Sequence, residues 1–140
     1  MIGMLLLACT AGQAEEVPSV SWHTELASAW AESCQQSRPM LVFVTCPNCR
    51  FCDKMKQGTF ARPDMAEVIN RAFVPLVLNG GSDAPLVKEL NVKYYPATFV
   101  ISPQAVILAR IDGYVSPEQF AAKLTSLQMP STAPNVAQGR

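Results

Sequence analysis

The stretch MLVFVTCPNCRFCDKM, Met40 to Met55, places the tightest constraint on what this chain can fold into. Its first six residues run apolar, β-branched and aromatic without polar alternation, the pattern of a strand buried on both faces. Such a strand needs helices packed on each side, because neither face can be left to water. Cys46, Cys49 and Cys52 follow at once. Cysteines this close in sequence cannot staple a domain of 140 residues, so the cluster reads as redox or metal chemistry rather than as a disulfide framework.

The flanking segments supply the helices. TELASAWAESCQQSRP is helical, with Leu26, Ala27, Trp30, Ala31 and Cys34 at helical spacing on one face and Pro39 marking the exit. Cys34 is expected to be a small buried core residue beside Trp30. DKMKQ is a short polar helical segment stopped by Gly58. RPDMAEVINRAF is a further helix, with Pro63 near its first turn and Met65, Val68 and Ile69 inward. FVPLVLN is a second buried strand, broken by Gly80 and Gly81, and APLVKEL is a short helix. ATFVIS and AVILARI form a hairpin around Pro103 and Gln104. Asp112 and Gly113 turn the chain into SPEQFAAKLTSL. Ser116 caps that helix, Pro117 sits at its first position, and Phe120, Ala121 and Leu124 form its apolar face.

The first strands alternate with helices, which predicts parallel pairing through right-handed crossovers. The closing hairpin adds antiparallel strands. The expected fold class is α/β, a mixed central sheet with helices on both faces. Hydrophobic residues make up 49% of the chain and charged residues 16%, which is enough apolar material for one domain with an ordinary core. Eleven basic and eleven acidic residues give no net charge and no basic patch, which excludes a nucleic-acid-binding class. No apolar run is long enough to cross a bilayer.

Residues 1–14 read as a secretory leader, with an apolar patch from Met4 to Ala8 and small residues at Gly12 and Ala14. The leader lacks a basic start. LLAC, Leu6 to Cys9, also has the form of a lipid-anchor box at Cys9. An extracytoplasmic, periplasmic setting is therefore expected, with a cytoplasmic protein as the lesser alternative. Residues 15–127 form the domain. Residues 128–140 are a tail rich in Pro, Ser and Ala, expected to be disordered.

The order of elements, the cysteines between a buried strand and a helix, and YYPAT before the final hairpin together resemble the thioredoxin superfamily. The resemblance is to exported thioredoxin-like proteins related to the C-terminal domain of the periplasmic disulfide-reducing transporter. It runs from about Trp22 to about Leu127 and is carried by LVFVT, CPN, CRFC, DKMK and the pair Thr59-Phe60. It implies a thioredoxin-like fold and a thiol–disulfide oxidoreductase acting on protein thiols and disulfides. It implies an upstream redox partner protein, no cofactor, and a monomer. A short loop separates the strand from the first working cysteine in this family, so the resemblance assigns CPN as the loop and Cys49-Cys52 as the working pair. CPNC itself is similar to a glutaredoxin dithiol, which keeps a Cys46-Cys49 pair as the lesser register. The resemblance also makes Pro96 a cis-proline beside the dithiol, with Tyr95 offering backbone hydrogen bonds to an extended substrate. Two positions depart from the family. Asn48 stands where a tryptophan is common, and Phe43 where many members bury an acid.

The chemistry follows from position. A cysteine at a helix N-terminus faces unpaired N–H groups and the positive end of the dipole, which stabilise its thiolate. Cys49 has that place and Arg50 adds a cationic neighbour, while Cys52 one turn on can attack Cys49 to resolve a mixed disulfide. Asp53 should oppose ionisation of Cys52. Arg50 and Cys46 are candidate modulators.

The competing function is a metal-binding or metal-delivery module in which Cys46, Cys49 and Cys52 hold a soft ion and Cys34 or His23 completes a zinc site. An iron–sulfur reading is weak, because Lys56 stands where the next cysteine is needed. The preferred reading assigns no metal.

Overall fold

A computed structural model describes residues 16–128 of the chain. The expected leader, Cys9, and residues 129–140 of the expected tail lie outside this range. The elements are α1 (Leu26–Gln36), β1 (Met40–Thr45), α2 (Arg50–Met55), α3 (Pro63–Ala72), β2 (Val74–Asn79), α4 (Ala84–Glu89), β3 (Ala97–Ile101), β4 (Ile107–Asp112) and α5 (Pro117–Gln128). They build a four-stranded sheet in the order β2-β1-β3-β4. β1 pairs parallel with β2 and antiparallel with β3, and β4 closes antiparallel on β3. The mixed sheet and its parallel first pair agree with the sequence pattern.

All six residues of β1 are buried. Successive side chains point to opposite faces, and the two faces enter two separate cores. Leu41 and Phe43 join Met55, Met65, Ile69, Phe120 and Leu124, so α2, α3 and α5 cover this face. Met40, Val42 and Val44 join Ala29 and Val87, so α1 and α4 cover the other. An aromatic chain consolidates the first core. Phe60 lies edge-on to Phe43 at 4.8 Å, to Trp22 at 5.1 Å and to Phe120 at 5.5 Å between ring centroids. Edge-to-face pairs of this kind add about 0.5–1.5 kcal/mol each beyond the area they bury.

The outer side of β2 is partly covered. His23 forms a parallel bridge with Leu76, its N–H donating to Pro75 O and its C=O accepting from Val77 N, both at 2.9 Å. Pro75 is tolerated because its missing N–H falls in a strand near the sheet edge. Arg38 donates to the carbonyls of Asn70 and Arg71 at the C-terminal end of α3, and to Glu32. A cation there satisfies carbonyls the helix leaves open. Ser116 and Gln119 form a reciprocal capping box at the start of α5, with bonds of 3.2 and 3.3 Å.

Three local expectations are corrected. On α1 the buried residues are Ala29 and Ser33, while Leu26, Ala27, Ala31 and Cys34 are exposed and Trp30 is half-buried. α1 approaches β2 through small side chains, and Ser33 can leave water because its hydroxyl donates to Arg38 O. Ala121 faces solvent, so α5 is anchored by Phe120 and Leu124 alone among its fully buried residues. Gly58 does not stop a helix. The chain runs from α2 directly into a π-helical turn, Lys56–Phe60, whose wider winding turns Thr59 and Phe60 inward. The bond from Ala61 N to Lys56 O, 3.0 Å, marks that winding.

Gly58 is exposed, its φ is not in the left-handed region, and a Cβ there would meet nothing within 4 Å. Helical glycine costs about 0.5–1 kcal/mol relative to alanine. Gly58→Ala is therefore expected to raise unfolding stability by about that amount in urea denaturation followed by circular dichroism. A loss of stability would show that the turn requires glycine.

Candidate active site

β1 ends at Thr45, and the next four residues carry the chain from the sheet to the start of α2. Pro47 and Asn48 form a turn, with Asn48 in the left-handed conformation at φ 56°. Asparagine tolerates that conformation better than most residues. The turn delivers Cys49 to the N-cap of α2, where its sulfur accepts a hydrogen bond from Cys52 N at 3.2 Å. Cys49 and Cys52 are disulfide-bonded, with their Cα atoms 5.2 Å apart. Cys52 is fully buried, in the core cluster that also holds Phe43, and Cys49 is packed at the margin of that cluster. Phe43 therefore fills with a ring the place where a buried acid was considered.

Cys46 is a free, half-buried thiol. Its sulfur and those of Cys49 and Cys52 lie within 4.8 Å of one another. The structure thus brings all three clustered cysteines together. It does not bring in the other two suggested ligands. Cys34 is exposed and directs its thiol to Pro103 O at 3.9 Å, near the β3–β4 turn. His23 is held by Glu32 at 2.7 Å and by Ser28 at 3.0 Å, so its ring is structural. Arg50 is exposed and lines a shallow surface depression with Asn48, Asp53, Lys54 and Gln57. The Asp53 carboxylate faces solvent and Lys56, 4.0 Å away, so water screens its field at Cys52.

Phe51, which stands between the two bonded cysteines in sequence, opens onto an apolar groove of about 430 Å³ that Tyr94, Tyr95, Asp112, Gly113 and Tyr114 also line. Phe51 is 52% and Tyr94 68% exposed, high values for rings of this size. Phe51 sits 6.1 Å from Tyr114, and the Lys54 ammonium lies 4.3 Å over the Tyr114 ring. The Tyr95–Pro96 peptide bond is cis, Pro96 is buried, and Pro96 O accepts from Gly113 N at 2.7 Å. Gly80 makes room for Tyr95, since a Cβ there would fall 2.5 Å from the phenol oxygen. Phe51, Gly80, Tyr94 and Tyr114 were not singled out from the sequence as site residues. The signal for Phe51 was available, since it stands between the two bonded cysteines. Tyr114 and Gly80 reach the site only through the fold.

A mixed sheet between two helical layers, with a Cys-x-x-Cys disulfide at the head of the helix that follows the central strand, defines a dithiol protein of thioredoxin architecture. The chain matches the thioredoxin-like domain family over residues 26–128, and it belongs to that family. Its fold is similar to a thioredoxin from Thermus thermophilus, at 18% identity and TM-score 0.71 over 78% of this chain and 87% of that one. It is similar to the DsbH oxidoreductase, at 17% identity and TM-score 0.68 over 90% and 94% of the two chains. The C-terminal domain of Neisseria meningitidis DsbD in its reduced form aligns at 15% identity and TM-score 0.64, over 73% and 92%. At these identities the likeness establishes the fold. No curated protein matches the sequence.

The N-cap position and the Cys52 N–H both favour the Cys49 thiolate once the disulfide is reduced. Iodoacetamide should therefore alkylate Cys49 of the reduced protein roughly tenfold or more faster than the fully buried Cys52, with peptide mapping as the readout. Equal rates at the two cysteines would show that neither the helix start nor burial distinguishes them.

Proposed function

We propose that this protein is a thiol–disulfide oxidoreductase that exchanges disulfides with cysteines of protein substrates, Cys49 attacking and Cys52 resolving. The observation that carries the reading is the Cys49–Cys52 disulfide, which joins the N-cap of α2 to its first turn. In the reducing direction the Cys49 thiolate attacks a substrate disulfide, a Cys49–substrate bond forms, and one substrate sulfur leaves as a thiolate. Cys52 then loses its proton and attacks Cys49. The Cys49–Cys52 bond forms, the second substrate thiolate leaves, and the substrate has gained two electrons. The reverse sequence oxidises a substrate. An upstream redox partner protein resets the dithiol, and no cofactor enters.

The aromatic groove gives the substrate its place. An extended segment with an apolar side chain next to its cysteine would lie over Phe51 and Tyr94, whose exposed rings it removes from water, and over the half-buried Tyr114. Tyr95 lines the same groove, next to the cis bond to Pro96, and is read as the backbone edge for that segment. The reading is extracytoplasmic, on the strength of the Met4 to Ala14 segment. No helix among the described residues is long and apolar enough to cross a membrane. The protein is read as acting as a monomer.

The metal reading keeps one supporting observation, the convergence of three sulfurs within 4.8 Å. Soft ions favour thiolate ligands. One equivalent of zinc or copper in the reduced protein as purified, lost in Cys46→Ser, would favour it over the redox reading.

Dithiothreitol-driven reduction of a protein disulfide tests the assignment. Cys49→Ser should fall to the uncatalysed rate, whereas Cys46→Ser should keep activity within about threefold of the parent, because Cys49 and Cys52 remain. Equal loss in Cys46→Ser and Cys49→Ser would instead make Cys46–Cys49 the working pair.

A further inference from the structure

Cys49 belongs to two Cys-x-x-Cys pairs at once, and each is closed by a different local structure. On one side, the first turn of α2 brings Cys52 to Cys49. On the other, Cys46-Pro47-Asn48-Cys49 has proline in its second position and a left-handed asparagine in its third. That is the pattern of a type II turn, which holds its first and fourth residues within about 7 Å. The result is seen at the sulfurs, all three within 4.8 Å of one another, with Cys46 carrying the free thiol. The two flanking cysteines differ in surroundings. Cys52 is fully buried, and Cys46 is half-buried with access to solvent.

We propose that Cys46 is a second resolving thiol for Cys49, so that the site is a three-cysteine relay rather than a single pair. The inference rests on the oxidoreductase reading above. When a substrate sulfur is bonded to Cys49, Cys46 gives its proton to solvent and its thiolate attacks Cys49 Sγ. The Cys46–Cys49 bond forms, the Cys49–substrate bond breaks, and the substrate leaves as a thiolate that takes up a proton. Cys52 then attacks Cys49 in turn. The Cys49–Cys52 bond forms and Cys46 is released as a thiol, with no net change in electrons. In this relay the Cys49–Cys52 isomer, the one present in the structure, is the resting form and the Cys46–Cys49 isomer its minor partner. Cys46 therefore clears mixed disulfides from the solvent side of Cys49.

The full-length chain with Cys9→Ser and Cys34→Ser removes the cysteines outside the cluster. In that background Cys52→Ser and, because Cys52 lies in the core, also Cys52→Ala are treated with glutathione disulfide. Acid quenching, alkylation and peptide mapping then report the products. Transient glutathionylation of Cys49 should give way to a Cys46–Cys49 disulfide. Adding Cys46→Ser should prolong the Cys49–glutathione adduct at least tenfold. A Cys49–glutathione adduct that persists equally with and without Cys46, in both Cys52 variants, would overturn the relay while leaving the Cys49–Cys52 assignment intact. Failure of Cys49 to react with glutathione disulfide even in the parent chain would overturn both.

Discussion

Burial of β1 on both faces is the constraint on which the rest of the molecule depends. Leu41 and Phe43 fill one core, and Met40, Val42 and Val44 fill the other. The strand is central and apolar as far as Val44, the chain leaves the sheet after Thr45, and the first polar requirement it meets there is the start of a helix. The turn at Pro47 and Asn48 meets it by placing Cys49 at the N-cap. Phe43 connects the two levels. Its ring packs edge-on against Phe60, which the π-helical turn brings inward, and both share a core with the buried Cys52. The packing that holds the sheet together thus also fixes the helix that carries the bonded cysteines.

The two sulfurs of the disulfide have unlike surroundings, and the proposed division of roles between them rests on that asymmetry. Cys49 sits at the edge of the core with an N–H directed at its sulfur, while Cys52 is shut away from water. Phe51, which stands between them in sequence, and Tyr94 are largely in solvent and line one apolar groove. Exposed aromatic surface costs free energy in the unbound protein and is offset when a partner covers it. Tyr95 enters the same groove because Gly80 leaves room for its phenol.

Much of this was legible in the chain. The β1 run, the parallel step to β2, the closing hairpin and the Ser116 cap could be read because each is a local pattern with a single structural solution. The convergence of Cys46 with Cys49 and Cys52 was implied by spacing alone. What could not be read was set by contacts distant in sequence. The inward face of α1 was misassigned because Ala29 and Ser33 are chosen by close approach to β2, not by hydrophobicity. The π-helical turn hid behind Gly58, whose usual meaning is a helix stop. The aromatic groove collects Phe51, Tyr94 and Tyr114 from segments far apart in the chain, and nothing local predicts that they meet.

The most direct measurement of the central claim is the equilibrium redox titration of the cluster in glutathione buffers, with each cysteine scored by alkylation and peptide mapping. Cys49 and Cys52 should change state together as one two-electron couple. Its potential should lie between the values of a reducing thioredoxin, about −270 mV, and a strong oxidant, about −120 mV. Cys46 and Cys34 should remain predominantly thiols across that transition. Independent titration of Cys49 and Cys52, or a cluster in which no disulfide involves Cys49 at any poise, would contradict it.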